Sequence, residues 1–132
     1  MYLHLLSETN KASFMAIARA VCAADGNFSD SERFMLEVYA KEMGLPSIES
    51  TIEETKAITT LAEIGTDQEK RIVVMELMGL SLADSDFSAE ERAFLQTIVE
   101  KFNISEEFVS QCENAVGRYL DLQNEFNQLV GI

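Results

Sequence analysis

Basic residues are scarce in this sequence, which has 10 lysines and arginines against 23 aspartates and glutamates, giving a formal net charge of −13. No basic block interrupts the acidic residues. Nucleic-acid binding depends on Lys and Arg side chains that neutralise phosphates, and attraction to anionic membrane surfaces depends on the same residues. The charge balance therefore argues against both functions and favours cations or a basic partner.

Long hydrophobic runs are also missing. No run approaches the roughly 18 apolar residues that a membrane span requires. The first residues contain no basic segment, and Ser7 and Glu8 interrupt their apolar stretch too early for a signal peptide. We therefore expect a cytoplasmic protein.

Histidine is limited to His4, and the six glycines are scattered. One histidine cannot supply the Glu-x-x-His pairs of di-iron bundles, and His4, near a terminus expected to fray, is a poor partner for a catalytic cysteine. Scattered glycines do not form a phosphate-binding loop. Cys22 and Cys112 each fall in an apolar helical pattern, which predicts two buried free thiols. These absences predict a protein that is not an enzyme.

Helical periodicity dominates what is present. Apolar residues recur with helical spacing over almost the whole chain, and no stretch alternates with period two for long enough to predict a strand. A length of 132 residues with 47% hydrophobic residues suits one globular domain. We predict an all-α fold, one compact bundle of about six to eight helices spanning residues 1–132. The predicted helix starts are Thr9 or Asn10, Ser29, Ser47, Ile58, Thr66, Ser88 and Ser105, and the predicted ends include Ala24, Gly44 and Gly65.

One segment of the sequence occurs twice. Residues 24–36 match residues 83–95 without a gap, at an offset of 59 residues, and seven of the thirteen positions are identical. Each copy joins the end of one predicted helix to the capped start of the next. The repeat therefore predicts two helix-loop-helix halves related by a pseudo-twofold axis.

Helix capping accounts for part of this repeat. Both copies contain Ser-x-x-Glu, which is the capping-box pattern. Phe28 and Phe87 precede the capping serines, where a hydrophobic staple is expected, and Arg33 and Arg92 could neutralise nearby carboxylates. Capping does not require an acid seven residues before the glutamate, although an Asx turn would also place one there.

The repeated acids also indicate a site for a hard cation. Their spacing matches the second half of an EF-hand loop, but apolar residues occupy loop positions 1 and 3, so neither copy is a complete EF-hand. Two half-loops brought together would pool their carboxylates, whose repulsion a divalent cation would relieve. Oxygen ligands favour Ca²⁺, Mg²⁺ or Mn²⁺ over zinc or copper. The predicted ligands are Asp25, Glu32, Asp84, Asp86 and Glu91.

The duplicated Ala-Asp-Gly-x-Phe-Ser-x-x-Glu stretch, in an acidic helical chain of this length, resembles the tellurite-resistance TerB family. The resemblance covers residues 14–119, and the motif gains specificity because it occurs twice. It implies a bacterial bundle of seven helices or a similar number, in which acids from both halves form a divalent-cation site. By motif position, those acids are Asp25 and Glu32 in the first copy and Asp84 and Glu91 in the second.

The second copy departs from this pattern at two positions. Ser85 replaces Gly26, which argues against a positive-φ turn in that copy, since only glycine adopts one without cost. Asp86 replaces Asn27 and either adds a ligand or only adds negative charge. No residue indicates tellurium or redox chemistry. The expected function is a non-catalytic stress-response or regulatory module that binds a divalent cation.

The alternative prediction is a metal-independent helical interaction module. Met75, Met78 and Phe94 could line a groove for a partner helix, although such stripes are usually core. The last predicted helix is the other candidate surface, with Leu122, Phe126 and Leu129 directed inward or towards a second copy of the chain. The expected partners are therefore a divalent cation and either a protein partner or a homodimer mate, with no nucleic acid and no membrane.

Overall fold

The computed structural model describes residues 1–24, 26, 28–83 and 87–132. Within these ranges every regular element is helical, which confirms the predicted all-α bundle. A single 3-10 turn, Leu3–Leu5, precedes six α-helices: α1 (Glu8–Ala23), α2 (Asp30–Met43), α3 (Glu54–Ile64), α4 (Asp67–Ala83), α5 (Ala89–Lys101) and α6 (Glu106–Val130). No helix in the described ranges is both long and apolar enough to cross a membrane.

Helix α1 lies at the centre of the bundle. From Ser13 to Ala18 every side chain is buried, because α1 packs against α2, α3, α4 and α5. The small side chains of Ala16 and Ala18 allow these neighbours to approach closely. The two repeated helix-loop-helix units, α1–α2 and α4–α5, therefore share one hydrophobic core.

Helix α6 runs parallel to α4 and continues beyond its end. The Arg71 guanidinium lies 5.8 Å from the centre of the Phe108 ring, and the Cβ position of Gly79 lies 3.9 Å from a Val116 methyl group. The pair nearer the start of α4 is also the pair nearer the start of α6, so the two helices run in the same direction. Helix α4 ends at residue 83 whereas α6 continues to residue 130. On this register about ten residues of α6, roughly 15 Å, project past α4.

The first residues are held in place, contrary to the expectation that they fray. The Met1 α-amino group lies 3.1 Å from a Glu42 oxygen and 2.8 Å from a Glu76 oxygen. The Tyr2 amide donates to Glu76 at 3.2 Å, and the Leu3 amide donates to Glu42 at 2.7 Å. We refer to Glu42 and Glu76 as the amino-terminal clamp. It places a fully buried Leu3 against the core.

The start of α1 lies earlier than predicted. The Ser7 hydroxyl accepts the Asn10 amide at 3.2 Å and caps the helix, so neither Thr9 nor Asn10 is the cap. The Asn10 side chain is used elsewhere, because its Nδ2 donates to the Glu69 carboxylate at 2.9 Å. This contact joins residues far apart in sequence, so local capping rules do not anticipate it.

The segment before α3 also differs from the prediction. The short helix predicted at Ser47 does not form in the described structure, and α3 begins at Glu54 rather than Ile58. Arg19 donates to the Ile48 carbonyl at 3.1 Å, and the Ile48 side chain is buried. This contact anchors the segment to α1 across 29 positions of the sequence, an interaction that local helix signals do not anticipate.

Candidate metal centre

Each repeated loop ends in a complete capping box, as predicted. The Ser29 hydroxyl accepts the Glu32 amide at 3.1 Å, and the Glu32 carboxylate accepts the Ser29 amide at 3.0 Å. Ser88 and Glu91 repeat this exchange at 3.1 and 3.4 Å. The reciprocal bonds satisfy amides that would otherwise lack partners at the starts of α2 and α5.

The repeated arginines contact the repeated phenylalanines. The Arg33 guanidinium lies 5.0 Å from the centre of the Phe28 ring, and that of Arg92 lies 4.1 Å from the centre of the Phe87 ring. Each pair occupies the two positions of a hydrophobic staple, with arginine in place of the usual apolar residue. Arg92 also donates to Glu113 at 3.3 Å. Within the described residues neither arginine forms an ion pair with Glu32. At Glu32, therefore, the structure does not support the expectation that these arginines neutralise the loop carboxylates.

The two capping glutamates are buried, with 5% of Glu32 and 3% of Glu91 exposed. Ionisable side chains are rarely so buried unless they are paired. Both act on one thiol: burial raises the pKa of Cys22 well above its ordinary value, and the charges of Glu32 and Glu91 raise it further. We call Glu32 and Glu91 the loop pair, because they occupy equivalent positions of the repeat and both raise the pKa of Cys22.

The other three predicted ligands, Asp25, Asp84 and Asp86, lie outside the described residues. The residues that are described contain no group of three or more His, Cys, Asp or Glu side chains able to hold a metal ion. Gly26 is described and has a φ of 78° with open space at its Cβ position, so the first loop contains the left-handed turn for which glycine is suited. Ser85, the equivalent residue of the second copy, lies outside the described residues.

A third capping box lies outside the repeat. Its glutamate, Glu69, is a buried carboxylate that accepts several hydrogen bonds from the protein, and it serves as a reference for the loop pair. Glu69 exchanges the predicted hydrogen bonds with Thr66, both at 3.1 Å. It also accepts the Ser7 amide and the Asn10 side chain, each at 2.9 Å. Although burial opposes the shift, these donors hold the pKa of Glu69 below its ordinary value. Protein donors alone compensate this charge.

The amino-terminal clamp was not predicted from the sequence. Glu76 stands in the apolar stretch of α4 between Val73 and Leu80 and is buried with them. An acid on an otherwise apolar helix face is the one local signal that could have revealed it, because such a residue requires a partner. Its partner, the chain's own amino group, is 75 positions away in the sequence.

The prediction of two buried free thiols is confirmed. Cys22 and Cys112 are buried free thiols. Burial, together with the charge of Glu76, raises the pKa of Cys112 to about 11, whereas a nucleophilic thiol requires a lowered pKa. Met78 is buried and Phe94 packs against the core. Met78 also lines an open cavity together with Phe87 and Val109, so the alternative of an interaction groove stays a prediction.

No protein-family model, curated protein or solved structure matches the chain. The similarity to the TerB family therefore depends on the duplicated motif. The function has to be argued from the geometry of the loop pair and its surroundings.

Proposed function

We propose that this protein is a TerB-like, non-catalytic module that binds a divalent cation between its two repeated loops. The supporting observation is that Glu32 and Glu91 are both buried and both raise the pKa of the Cys22 thiol. These glutamates come from equivalent positions of two loops that contain further acids in the sequence. A cation bound there would tie the two helix-loop-helix halves together.

The first argument concerns charge. Burying carboxylates is costly unless cations or donors compensate them. The structure supplies an ammonium group to the amino-terminal clamp, and several donors to Glu69. Glu32 has no ion pair within the described ranges, and the nearby arginines Arg33 and Arg92 stack on aromatic rings. A divalent cation would provide the compensating charge, with Asp25, Asp84 and Asp86 as additional ligands.

The second argument concerns the type of cation. Because burial and the loop pair raise its pKa, Cys22 remains a protonated thiol and does not add a soft ligand. The candidate donors are then carboxylate oxygens, which favour Ca²⁺, Mg²⁺ or Mn²⁺. A module of this kind in the bacterial cytoplasm would serve a stress response or a regulatory process, in keeping with the TerB resemblance.

Thermal unfolding of the chelator-treated protein, followed by addition of each divalent cation, tests the proposal. A specific site at about 100 times its dissociation constant adds roughly 2.7 kcal/mol of stability. At this chain length the gain corresponds to an increase in Tm of about 10 °C. We expect one of Ca²⁺, Mg²⁺ or Mn²⁺ to give this increase, with a much smaller effect from the others.

Matched variants separate a site from general charge screening, since any cation reduces repulsion in a protein of charge −13. Glu32→Gln keeps the capping box, because glutamine also closes it, but removes a predicted ligand. Glu69→Gln makes the same change in the capping box outside the repeat, and Glu53→Gln removes an exposed charge. Only Glu32→Gln and Asp25→Asn should abolish the response. Weak, equal responses in all variants to every cation would contradict the proposal.

A further inference from the structure

The distal half of α6 carries an apolar stripe that no other described element covers. Tyr119, Leu122, Phe126 and Leu129 are 45%, 47%, 56% and 77% exposed. Their spacing of three and four residues places them along one side of the helix. This side is about a quarter turn away from the face through which Val116 contacts α4. The stripe therefore remains open both beside the bundle and along the part that projects beyond it.

The stripe has the heptad spacing of a two-helix seam. Tyr119 and Phe126 occupy one core position of the heptad, and Ala115, Leu122 and Leu129 occupy the other. When two such helices pair in antiparallel orientation, Tyr119 of each copy packs against Leu122 of the other. In that register the large Phe126 ring of one copy faces the small, exposed Ala115 of the other. The stripe is thus complementary in size to itself.

Charge complementarity supports the same register. Arg118 and Glu125 flank the seam at equivalent heptad positions, and neither forms an ion pair with a described residue. Antiparallel pairing places Arg118 of one copy beside Glu125 of the other, and the twofold axis repeats the contact. Parallel pairing would place Arg118 beside Gln123 and Glu125 beside Val130, with no charge pair. It would also bring the two acidic bundles side by side, where they repel each other.

The distribution of charge in the chain favours contact at this surface. Residues 114–132 carry one basic and two acidic side chains, whereas the whole chain has a net charge of −13. Interface cores are depleted in charged residues. A second copy can therefore approach α6 with less repulsion than it would meet at the acidic remainder of the protein.

We infer that the protein forms a homodimer through antiparallel pairing of the distal halves of α6. The interface is isologous, with the same stripe contributed by both copies. It is independent of the proposed cation site, so a failure of one proposal leaves the other standing.

Sedimentation of the full chain from low to high micromolar concentration tests this inference. We expect a monomer–dimer equilibrium, and a monomer at all concentrations for Leu122→Asp and for Phe126→Asp. These side chains are exposed, so the variants should retain the wild-type helix content and Tm. Phe34→Asp is the matched control, because Phe34 is a 64% exposed aromatic residue on α2, away from the stripe. It should dimerise like the wild type.

Charge reversal tests the orientation. Arg118→Glu or Glu125→Arg alone should weaken dimerisation by about tenfold, because each places like charges side by side at two symmetric positions. The double variant should restore the wild-type dissociation constant. A wild-type protein that remains monomeric would overturn the inference, as would a dimer that survives Leu122→Asp. A double variant that is weaker than either single one would overturn the antiparallel register.

Discussion

The amino-terminal clamp and the loop pair each consist of two glutamates from different helices, and their surroundings differ. The amino-terminal clamp joins Glu42 of α2 to Glu76 of α4 around the Met1 ammonium group. In the loop pair, Glu32 of α2 and Glu91 of α5 both raise the pKa of the Cys22 thiol. The clamp contains a cation, the Met1 ammonium group, whereas Glu32 has no ion pair within the described residues.

This difference shows how the same residue type acquires different roles. In the clamp the carboxylates are structural, because the chain supplies the opposite charge. In the loop pair the capping bonds orient each glutamate, but they are available to any Ser-x-x-Glu sequence and do not explain why Glu32 is buried. Glu32 is therefore the carboxylate at which the proposed cation would have its effect.

The largest expected effect comes from breaking the clamp. Glu76→Ala removes an acceptor of the Met1 ammonium group and of the Tyr2 amide. We expect a loss of about 2 kcal/mol in the free energy of unfolding, because charge-assisted bonds are lost. Urea unfolding measures this, with Glu37→Ala on the exposed face of α2 as the control. An equal loss in both variants would mean that the clamp contributes nothing specific.

The loop pair should respond with the opposite sign when no divalent cation is present. Glu32→Gln keeps the capping box but removes one of two like charges. We expect an increase of about 1 kcal/mol in the free energy of unfolding in chelator, and a decrease relative to wild type at saturating cation. Glu42→Gln, the matched change in the clamp, should destabilise under both conditions. Destabilisation by Glu32→Gln in chelator would show that the described residues already compensate this charge.

The pH dependence of stability separates the pairs further. Although partial burial opposes the shift, Glu76 and then Glu42 raise the pKa of the Met1 amino group above its ordinary 8.0. Stability from a raised pKa is fully present below the unfolded value and is lost as pH rises through the folded value. Stability should therefore decline as pH rises above 8.0. The decline just above this pH should be shallower in Glu76→Ala, and an unchanged slope would contradict the assignment.

At low pH the clamp should weaken again. Although burial opposes the shift, the amino group and the Leu3 amide hold the pKa of Glu42 below its ordinary 4.5. The contribution from a lowered pKa is present above the unfolded value and is lost as pH falls through the folded value. Stability measured below pH 4.5 should therefore fall less steeply in Glu42→Gln than in the wild type.

The smallest expected effect concerns the arginines of the loops. A double-mutant cycle of Phe87→Leu and Arg92→Gln should give a coupling energy of about 0.5 kcal/mol, because the stacking contact is partly exposed. Urea unfolding of the four proteins measures it, and the cycle removes the separate contribution of Glu113. A coupling energy of zero would mean that Arg92 does not stabilise the protein through Phe87. The Arg92 charge would then act on other groups, which would weaken the comparison between the amino-terminal clamp and the loop pair.

Features with a local cause were predictable from the sequence. The capping boxes at Ser29, Thr66 and Ser88 depend on residues three positions apart, and all three form. The C-terminal turn of α2 was also predicted from a local signal, the glycine at position 44, and Gly44 adopts a φ of 71° there. Helical periodicity likewise predicted the fold class, because apolar spacing determines which faces can be buried.

Features with a distant cause were not predictable. The segment after Ser47 forms no helix and is contacted at Ile48 by Arg19 of α1. The Met1 amino group finds its carboxylates on two other helices. The repeat is the one sequence feature that carries long-range information. Glu32 and Glu91, at its equivalent positions, both raise the pKa of Cys22, whereas their joint binding of a cation stays a prediction.

The hydrogen bonds of the first residues have a consequence for synthesis of the chain. Ser7 donates to Glu69 and Met1 to Glu76, so both early segments complete their bonding on α4. A growing polypeptide cannot form these contacts until α4 has left the ribosome. Ser7 can cap α1 locally before that point, but the segment in front of α1 reaches its final position only after α4 has been made.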